Sequence, residues 1–266
     1  MHAMTIRAAV SGTGNMGRAV LAGLEQHAGF EPAGMIEKLS SGATFVSASG
    51  LSLPQSADPG ALLDATKPDV VIDFTNAEWT PVLARAALER GVRLVIGTTG
   101  LSDAWLGELA AECRKRGVGA VVAPNYAIGA VLLIHMAKIA GRFFDSAEII
   151  ELHHDKKVDA PSGTALSTAR EILAARGKPF DRNEPDIEPL PGARGAKLDG
   201  ISIHSVRLPG LVAHEEVIFG GTAQTLSIRH DTTGRDSFIP GVLLAVREVM
   251  QRKELVRGLE ELFGLS

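Results

Sequence analysis

The pattern near the N-terminus limits the possible folds more than any other feature of this chain. A strand-like apolar run over residues 6–11 leads into a glycine-rich loop, and a helix-like segment over residues 18–27 follows. Glycines at this spacing permit a tight turn, a close approach of a pyrophosphate to the backbone and close packing of helix on strand. The helix N-terminus adds free N–H groups and a partial positive charge. An ordinary glycine-rich turn is the alternative, and the strand-loop-helix context favours a dinucleotide-binding loop formed by Gly12, Thr13, Gly14, Asn15, Met16 and Gly17.

The first half of the chain alternates strand-like and helix-like segments. Strand-like runs recur at residues 30–36, 69–74, 92–96 and 118–123, with helix-like stretches between most of them. Alternation of this kind predicts a parallel sheet covered by helices on both faces. We therefore expect a Rossmann-type domain in this half.

The second half of the chain has a different pattern. A helix-like stretch at 126–142 precedes a strand-like run at 146–153 and another helix-like stretch at 163–176. Residues 180–200 are rich in proline, glycine and charge, which predicts a long loop or lid. Strand-like runs then follow closely within residues 201–229, and this closeness favours an antiparallel sheet.

Together these patterns predict an α/β fold class: a Rossmann-type parallel sheet domain plus a second α+β domain with a mostly antiparallel sheet. The final stretch, residues 237–262, is predicted to be helical, and its apolar face needs a partner. We expect residues 1–125 and about 235–266 to form the dinucleotide-binding domain. Residues 126–234 are expected to form the second domain.

Composition and charge argue against several classes of protein. Apolar residues make up 45% and charged residues 22%, as in ordinary globular proteins. The net charge of −4 argues against nucleic-acid or membrane-surface binding, which needs a dominant basic field. No run approaches the ~18 apolar residues of a spanning helix, and the N-terminus has no signal pattern. The single cysteine, Cys113, is interpreted as a packing residue, and a cytoplasmic location is expected.

Residues at the ends of later strands are candidates for holding a nicotinamide cofactor. Glu37 ends the second strand-like run about 20 residues after the glycine loop, where a carboxylate binds the ribose of NAD. Lys38 is able to meet the phosphate of NADP, so the pair indicates NADH, NADPH or both; an exposed surface pair is the alternative. Ligands of doubly wound sheets lie outside strand carboxyl ends, which adds the loops Gly97, Thr98 and Thr99, and Ala123, Pro124, Asn125 and Tyr126.

Residues 153–164 concentrate proton donors and cations beside a helix start. A histidine supplies a proton near neutrality, because its unperturbed pKa is about 6.5. Lys157 adds a positive charge for a carboxylate. The free N–H groups at Gly163 and Thr164 form an anion site at a helix N-terminus. The segment therefore predicts acid catalysis on an anionic substrate.

Other interpretations of this segment are weaker. The adjacent His153 and His154 side chains point to opposite sides of an extended segment, and no cluster with metal-ligand spacing accompanies them. We therefore predict no metal. Lys156 is interpreted as an exposed charge, and Glu151, on the preceding strand, is expected to face solvent.

The segment from His153 to Thr164 resembles the signature of the 4-hydroxy-tetrahydrodipicolinate reductase family, also called dihydrodipicolinate reductase. The motif is long and peculiar to that family, and the resemblance extends over nearly the whole chain. Further matching segments are the glycine loop with Arg18, Asp73-Phe74-Thr75, residues 97–100, residues 123–125, and residues 235–238 with Gly241.

The resemblance implies NADH- or NADPH-dependent reduction of 4-hydroxy-tetrahydrodipicolinate to tetrahydrodipicolinate, with loss of water, in lysine and diaminopimelate biosynthesis. It implies that His153 protonates the substrate, while Lys157 assists as a proton donor and holds a carboxylate. His154, Gly163 and Thr164 would bind the small dicarboxylate. The glycine loop, Glu37, Lys38 and the two later loops would hold the cofactor. The family is typically a homotetramer built through the sheet of the second domain, so this domain would bind substrate and form the oligomer.

Two other functions are compatible with a Rossmann-type domain. One is another amino-acid-type dehydrogenase with the same two-domain plan, such as an aspartate dehydrogenase. The other is a sensor or scaffold that binds NAD without catalysis. A sensor has no need of the side chains gathered in residues 153–164, so the sequence favours an enzyme.

Overall fold

The computed structural model describes residues 5–265. Numbered in chain order, its helices and strands are β1 Ile6–Ser11, α1 Asn15–Gln26, β2 Phe30–Ile36, β3 Thr44–Val46, β4 Ser52–Ser56, α2 Pro59–Thr66, β5 Val70–Asp73, α3 Thr80–Glu89, β6 Arg93–Ile96, α4 Asp103–Arg116, β7 Ala120–Val122, α5 Ile128–Ala140, β8 Ser146–His153, α6 Gly163–Arg176, β9 Ala196–Leu198, β10 Ile201–Arg207, β11 Ala213–Gly221, β12 Gln224–Thr232, α7 Ile239–Val249 and β13 Leu255–Arg257.

The chain divides into two compact units. The first contains the described residues up to Ala127 together with those from Arg235 onwards, and the second is Ile128–Gly234. The first unit is built on a sheet with the strand order β13-β7-β6-β5-β1-β2-β4-β3. Its pairs are parallel except for the antiparallel hairpin of β3 and β4. This is the predicted Rossmann-type sheet.

Caps and apolar spacing explain the helices of the first unit. Asp58 and Ser102 accept hydrogen bonds from the third residue after them, which begins α2 and α4. Gly117 ends α4 in the left-handed conformation, with φ +65°. The buried faces of α3 and α4, including Leu83 and Cys113, pack with the apolar strands in one core. The interpretation of Cys113 as a packing residue agrees with its complete burial.

The C-terminal stretch differs from the single helix expected over residues 237–262. Helix α7 ends at Val249, and the chain returns as β13, which pairs in parallel with β7. Val256 lies at the centre of β13 and is completely buried. The edge of the sheet therefore gives these residues backbone hydrogen-bond partners in β7 and buries Val256.

The second unit contains a mixed sheet with the order β12-β11-β8-β10-β9. Most pairs are antiparallel, as predicted, but β8 and β10 are parallel. The closely spaced strands β10 and β11 are not neighbours, because β8 lies between them. One face of β8 carries Ala147 and Ile149, which pack in a core with α5 and α6. Glu151 and His153 follow on this same face, since side chains alternate along a strand.

The close packing of α1 against β1 depends on Gly17. A Cβ atom at this position would lie 1.9 Å from the carbonyl oxygen of Gly12. We expect Gly17→Ala to lower the free energy of unfolding by about 3 kcal/mol, because helix and loop must separate to admit the methyl group. Urea unfolding measures this loss. Gly14→Ala is the matched control, since its Cβ would meet nothing within 4 Å; an equal loss there would contradict the steric explanation.

Candidate active site

The glycine loop lies between β1 and α1 in an open conformation. Gly12 has φ +92°, a conformation that favours glycine, and its N–H donates to the carbonyl of Ile36 at 2.8 Å. Helix α1 begins after Gly14, which has no side chain to cap the first N–H groups. A Cβ at Gly14 would point into open space. The helix N-terminus therefore keeps free donors for an anion.

Glu37 and Lys38 follow β2 beside this loop. One carboxylate oxygen of Glu37, Oε2, accepts from the backbone N–H of Thr13 at 2.9 Å and from its hydroxyl at 2.7 Å. Burial alone would raise the pKa of Glu37, but hydrogen bonds from Thr13 and from Leu39 outweigh burial and hold the pKa below its ordinary value. The carboxylate is therefore ionised and still has acceptor capacity for a ribose diol.

A cavity of about 410 Å³ lies at this position. The Lys38 ammonium nitrogen is 5.8 Å from the centroid of the Trp79 ring, which also lines the cavity. Both charges of the Glu37-Lys38 pair therefore border one space rather than forming a remote surface pair. The lining residues include Gly12, Thr13, Gly14, Glu37, Lys38 and Trp79.

A buried carboxylate, Asp73, lies under these loops and was not assigned a role from the sequence. Its oxygens accept hydroxyl hydrogen bonds from Thr75 at 2.7 Å, Thr80 at 2.5 Å and Thr98 at 3.1 Å. Burial raises the pKa of Asp73, and the hydroxyl hydrogen bonds, including one from Ser11, oppose that rise. Because Ser11 precedes the glycine loop and Thr98 follows β6, Asp73 links loops at the carboxyl edge of the sheet. In the sequence, the position of Asp73 at the end of an apolar strand-like run was the one feature that could have indicated this role.

The two later loops follow β6 and β7, which are neighbouring parallel strands. The structure therefore places the residues after β1, β2, β6 and β7 at one edge of the first sheet. Thr98 is buried, and its hydroxyl is used by Asp73. Thr99 and Pro124 are exposed.

The side chain of Tyr126 belongs to the core of the first unit rather than to a ligand surface. It is 1% exposed, and its hydroxyl donates to the carbonyl of Ile96 at 2.9 Å. Burial raises the pKa of the Tyr126 hydroxyl far above its ordinary value. Asn125 is half-buried, and its side-chain oxygen accepts from the N–H of Ala127 at 2.9 Å. These contacts give the loop a defined shape.

In the second unit, His153 lies at the end of β8 and is paired with Glu151. The Nδ1 atom of His153 donates to Oε2 of Glu151 at 2.5 Å. The expectation that Glu151 faces solvent was wrong, because its side chain is completely buried. Two guanidinium nitrogens of Arg207 donate to its two oxygens, at 3.0 and 2.7 Å. Strand alternation places Glu151 on the helix-covered face, and Arg207 supplies the charge that makes its burial possible.

Lys157 lies in the turn after β8 and forms an ion pair with Asp159. Its ammonium nitrogen is 2.7 Å from Oδ1 of Asp159. The pKa of Asp159 is lowered by this contact with Lys157 and also by the backbone N–H of Gly163, while partial desolvation opposes the shift. A carboxylate of the chain itself is therefore paired with Lys157, one of the groups predicted to hold a substrate carboxylate. His154 is exposed nearby in sequence.

Helix α6 begins directly after this turn. Ser162 is its N-cap, and the hydroxyl oxygen accepts from the N–H of Ala165 at 3.1 Å. Gly163 and Thr164 are exposed at the first positions of the helix. His153, Lys157 and the α6 N-terminus thus follow one another within residues 153–164, and the charge of Lys157 lowers the pKa of His153.

Glu215 is a second buried carboxyl group on the same face of the second sheet. It lies opposite Glu151 in the register of β8 and β11. Burial, together with the charge of Glu151, raises the pKa of Glu215 to about 7. Its Oε1 atom has no hydrogen-bond partner in the described part of the chain.

No group of three His, Cys, Asp or Glu side chains within residues 5–265 is arranged to hold a metal ion. Over the same residues, no helix has the length and apolar character needed to cross a membrane.

Two family models cover almost all of the chain. The model described as the N-terminus of dihydrodipicolinate reductase matches residues 6–126, and the model described as its C-terminus matches residues 129–263. The chain belongs to the dihydrodipicolinate reductase family. This confirms the resemblance stated from the sequence and removes the reason to prefer an aspartate dehydrogenase or a non-catalytic sensor.

The chain matches individual members of this family over nearly their whole length. The chain is 48% identical over 254 residues to the 4-hydroxy-tetrahydrodipicolinate reductase of Dehalococcoides mccartyi strain CBDB1, covering 95% of this chain and 96% of that protein. It is 49% identical over 262 residues to the enzyme of the same name from Moorella thermoacetica, covering 97% and 98%. Homotetramer assembly and cytoplasmic location stay predictions.

A solved structure in the family has the same fold. It is a dipicolinate-bound dihydrodipicolinate reductase from Paenisporosarcina sp. TG-14, with a TM-score of 0.88 and 40% sequence identity. The match covers 97% of this chain and 99% of that chain. The predicted fold class is therefore confirmed.

Because Glu215 keeps its proton to a higher pH in the folded protein than in the unfolded chain, the free energy of unfolding should depend on pH. Between pH 4.5, its ordinary pKa, and about 7, the unfolded chain loses this proton before the folded chain does. As pH rises through this window, wild-type protein should lose about 1–3 kcal/mol of unfolding free energy relative to Glu215→Gln. Urea unfolding at pH 5 and pH 8 measures the difference. Glu216→Gln, on the opposite face of β11, is the control, and an equal pH trend there would contradict the assignment.

Proposed function

We propose that this protein reduces 4-hydroxy-tetrahydrodipicolinate to tetrahydrodipicolinate, using NADH or NADPH and releasing water, in lysine and diaminopimelate biosynthesis. The observation that carries the proposal is the pairing of His153 with a buried carboxylate beside Lys157 and the α6 N-terminus. The names of the relatives and the bound dipicolinate of the Paenisporosarcina protein support the same substrate class.

The first unit fits a dinucleotide cofactor. The uncapped N-terminus of α1 offers N–H donors for a pyrophosphate, and the open space at Gly14 admits its approach. Glu37 supplies a carboxylate for a ribose diol. Gly97, Thr99 and the backbone of the loop 123–126, with the exposed Pro124, would complete the binding surface. When bound, the nicotinamide supplies the hydride.

His153 is the proposed proton donor. The net reaction adds one hydride and one proton to the substrate and releases its hydroxyl group as water. Because Nδ1 of His153 is used by Glu151, Nε2 is the ring nitrogen that transfers the proton. The proton must be present on the ring, so activity should fall as pH rises through the pKa of His153.

Lys157, His154, Gly163 and Thr164 are proposed to bind the substrate carboxylates. The exposed N–H groups at the start of α6 and the Lys157 ammonium favour an anion. Asp159 forms an ion pair with Lys157, so a substrate carboxylate would take the place of Asp159 in that contact.

Two substitutions test these assignments. We expect His153→Gln to lower kcat by about 10²–10⁴-fold with a small change in KM, because it removes the proton donor. Lys157→Met should raise KM and also lower kcat. Oxidation of NADH or NADPH, with substrate made from aspartate semialdehyde and pyruvate, measures both. Lys156→Met, an exposed neighbour, is the control. Full turnover in both His153→Gln and Lys157→Met would contradict the proposal.

We propose that both cofactors are accepted, with Glu37 holding the ribose of NADH and Lys38 meeting the phosphate of NADPH. Removal of the Lys38 charge should weaken NADPH binding alone. Lys38→Met is expected to raise KM for NADPH roughly tenfold, since a charge-assisted phosphate contact is lost. The KM for NADH in the same variant is the internal control and should stay within about twofold. Equal changes for the two cofactors would exclude a phosphate contact at Lys38.

A further inference from the structure

We propose that Glu151 is a positioning residue: clamped by Arg207, it orients the His153 ring, keeps the proton on Nδ1 of the neutral ring and favours the charged imidazolium. This inference rests on the proposed function, in which His153 is the proton donor. Glu151 itself has no exposed surface, so it acts through His153 rather than on the substrate.

The geometry leaves Glu151 no freedom to turn. Its Oε1 accepts from Arg207 at 2.7 Å and from the backbone N–H of Ser162 at 3.3 Å. Its Oε2 accepts from the other Arg207 nitrogen at 3.0 Å and from His153 at 2.5 Å. A two-point guanidinium contact sets the plane of a carboxylate as well as its position.

The parallel pairing of β8 and β10 makes this arrangement possible. It places Arg207 directly beside His153 in the register, with Glu151 two residues earlier on the same face. Arg207 also donates to the carbonyl of Asp159 in the turn that carries Lys157. The clamp therefore joins both strands, the turn and the α6 start, and it fixes the ring of His153 relative to Lys157.

The groups around His153 shift its pKa in opposite directions. Burial is the largest influence and lowers the pKa of His153, and the positive charges of Lys157 and Arg207 lower it further. Glu151 is the contacting carboxylate that raises it. Asp159 is paired with Lys157, and Glu215 on β11 contributes a carboxyl group that is neutral below about pH 7. Without Glu151, the proton would leave His153 at a lower pH.

Glu151 stays ionised in this setting. Burial alone would raise the pKa of Glu151, but hydrogen bonds from Arg207, Ser205 and His153 outweigh burial and hold the pKa below its ordinary value. An ionised carboxylate accepts hydrogen bonds only, so the neutral His153 ring must carry its proton on Nδ1. The orientation of the ring then leaves Nε2 for the substrate.

The test is the pH profile of kcat in Glu151→Gln, a substitution that keeps the shape and removes the charge. We expect the alkaline limb of the profile to move to lower pH by about one unit or more, because an opposite charge in contact shifts a pKa by this amount. KM should change little. Glu151→Asp keeps the charge and should leave the limb within about half a unit, even where kcat falls.

Glu215→Gln is the matched control. It removes another buried carboxyl group from the same face of the sheet, one strand away, and no hydrogen bond joins Glu215 to His153 in the described residues. Its alkaline limb should stay near that of the wild-type protein. A limb that stays unchanged in Glu151→Gln, or that moves equally in Glu215→Gln, would overturn the proposal.

A spectroscopic measurement needs neither turnover nor a substitution at Glu151. In the wild-type full chain, nitrogen-15 NMR identifies His153 by comparison with His153→Gln and reports which ring nitrogen holds the proton above the pKa. The proposal requires Nδ1, and a neutral ring protonated on Nε2 would overturn it. If instead His153→Gln kept full turnover while the ring showed the expected Nδ1 proton, the proposed function of His153 would fail and the positioning inference would stand.

Discussion

A carboxylate buried near the carboxyl end of a central strand organises each unit of this protein. A buried carboxylate is costly unless its oxygens are hydrogen-bonded, so neighbouring segments must supply donors. Asp73 accepts hydrogen bonds from neutral hydroxyl groups, and burial leaves its pKa raised. Glu151 accepts hydrogen bonds from the guanidinium of Arg207, and its pKa is lowered. The pKa values of these two buried carboxyl groups are therefore shifted in opposite directions, because one network supplies a positive charge and the other does not.

Each network connects the segments that ligand binding needs. Around Asp73, Ser11 ends β1, while Thr75 and Thr98 follow β5 and β6, so one group holds the edge where a cofactor is proposed to bind. Around Glu151, donors come from β10, from the α6 start and from His153. Buried polar groups of this kind specify a single geometry, because any other arrangement leaves a donor or acceptor unpaired. Positioning and folding thus depend on the same contacts.

The local patterns predicted much of the fold because each depends on near neighbours. Apolar runs of four to six residues and the glycine loop located β1, β5 and β6, and the Ser-Gly-Thr start located α6. The hairpin of β3 and β4 was not predicted, since strands of three and five residues are too short to show a clear alternating pattern. The C-terminal strand β13 also escaped, because the pairing that makes it a strand is with β7, more than a hundred residues earlier. Periodicity carries no information about such a partner.

The amino-acid sequence by itself determined the chemistry of the chain: a glycine loop with Glu37 and Lys38, and a run of residues from His153 to Thr164 whose types and order mark one family. These are covalent neighbours, so their grouping needs no fold. Only the tertiary structure decided that Glu151 is buried and that Arg207, 56 residues later, clamps it. The reason is the order of the strands in the sheet. Strand β8 lies between β10 and β11, and this order, which no local sequence pattern encodes, determines which charged side chains meet.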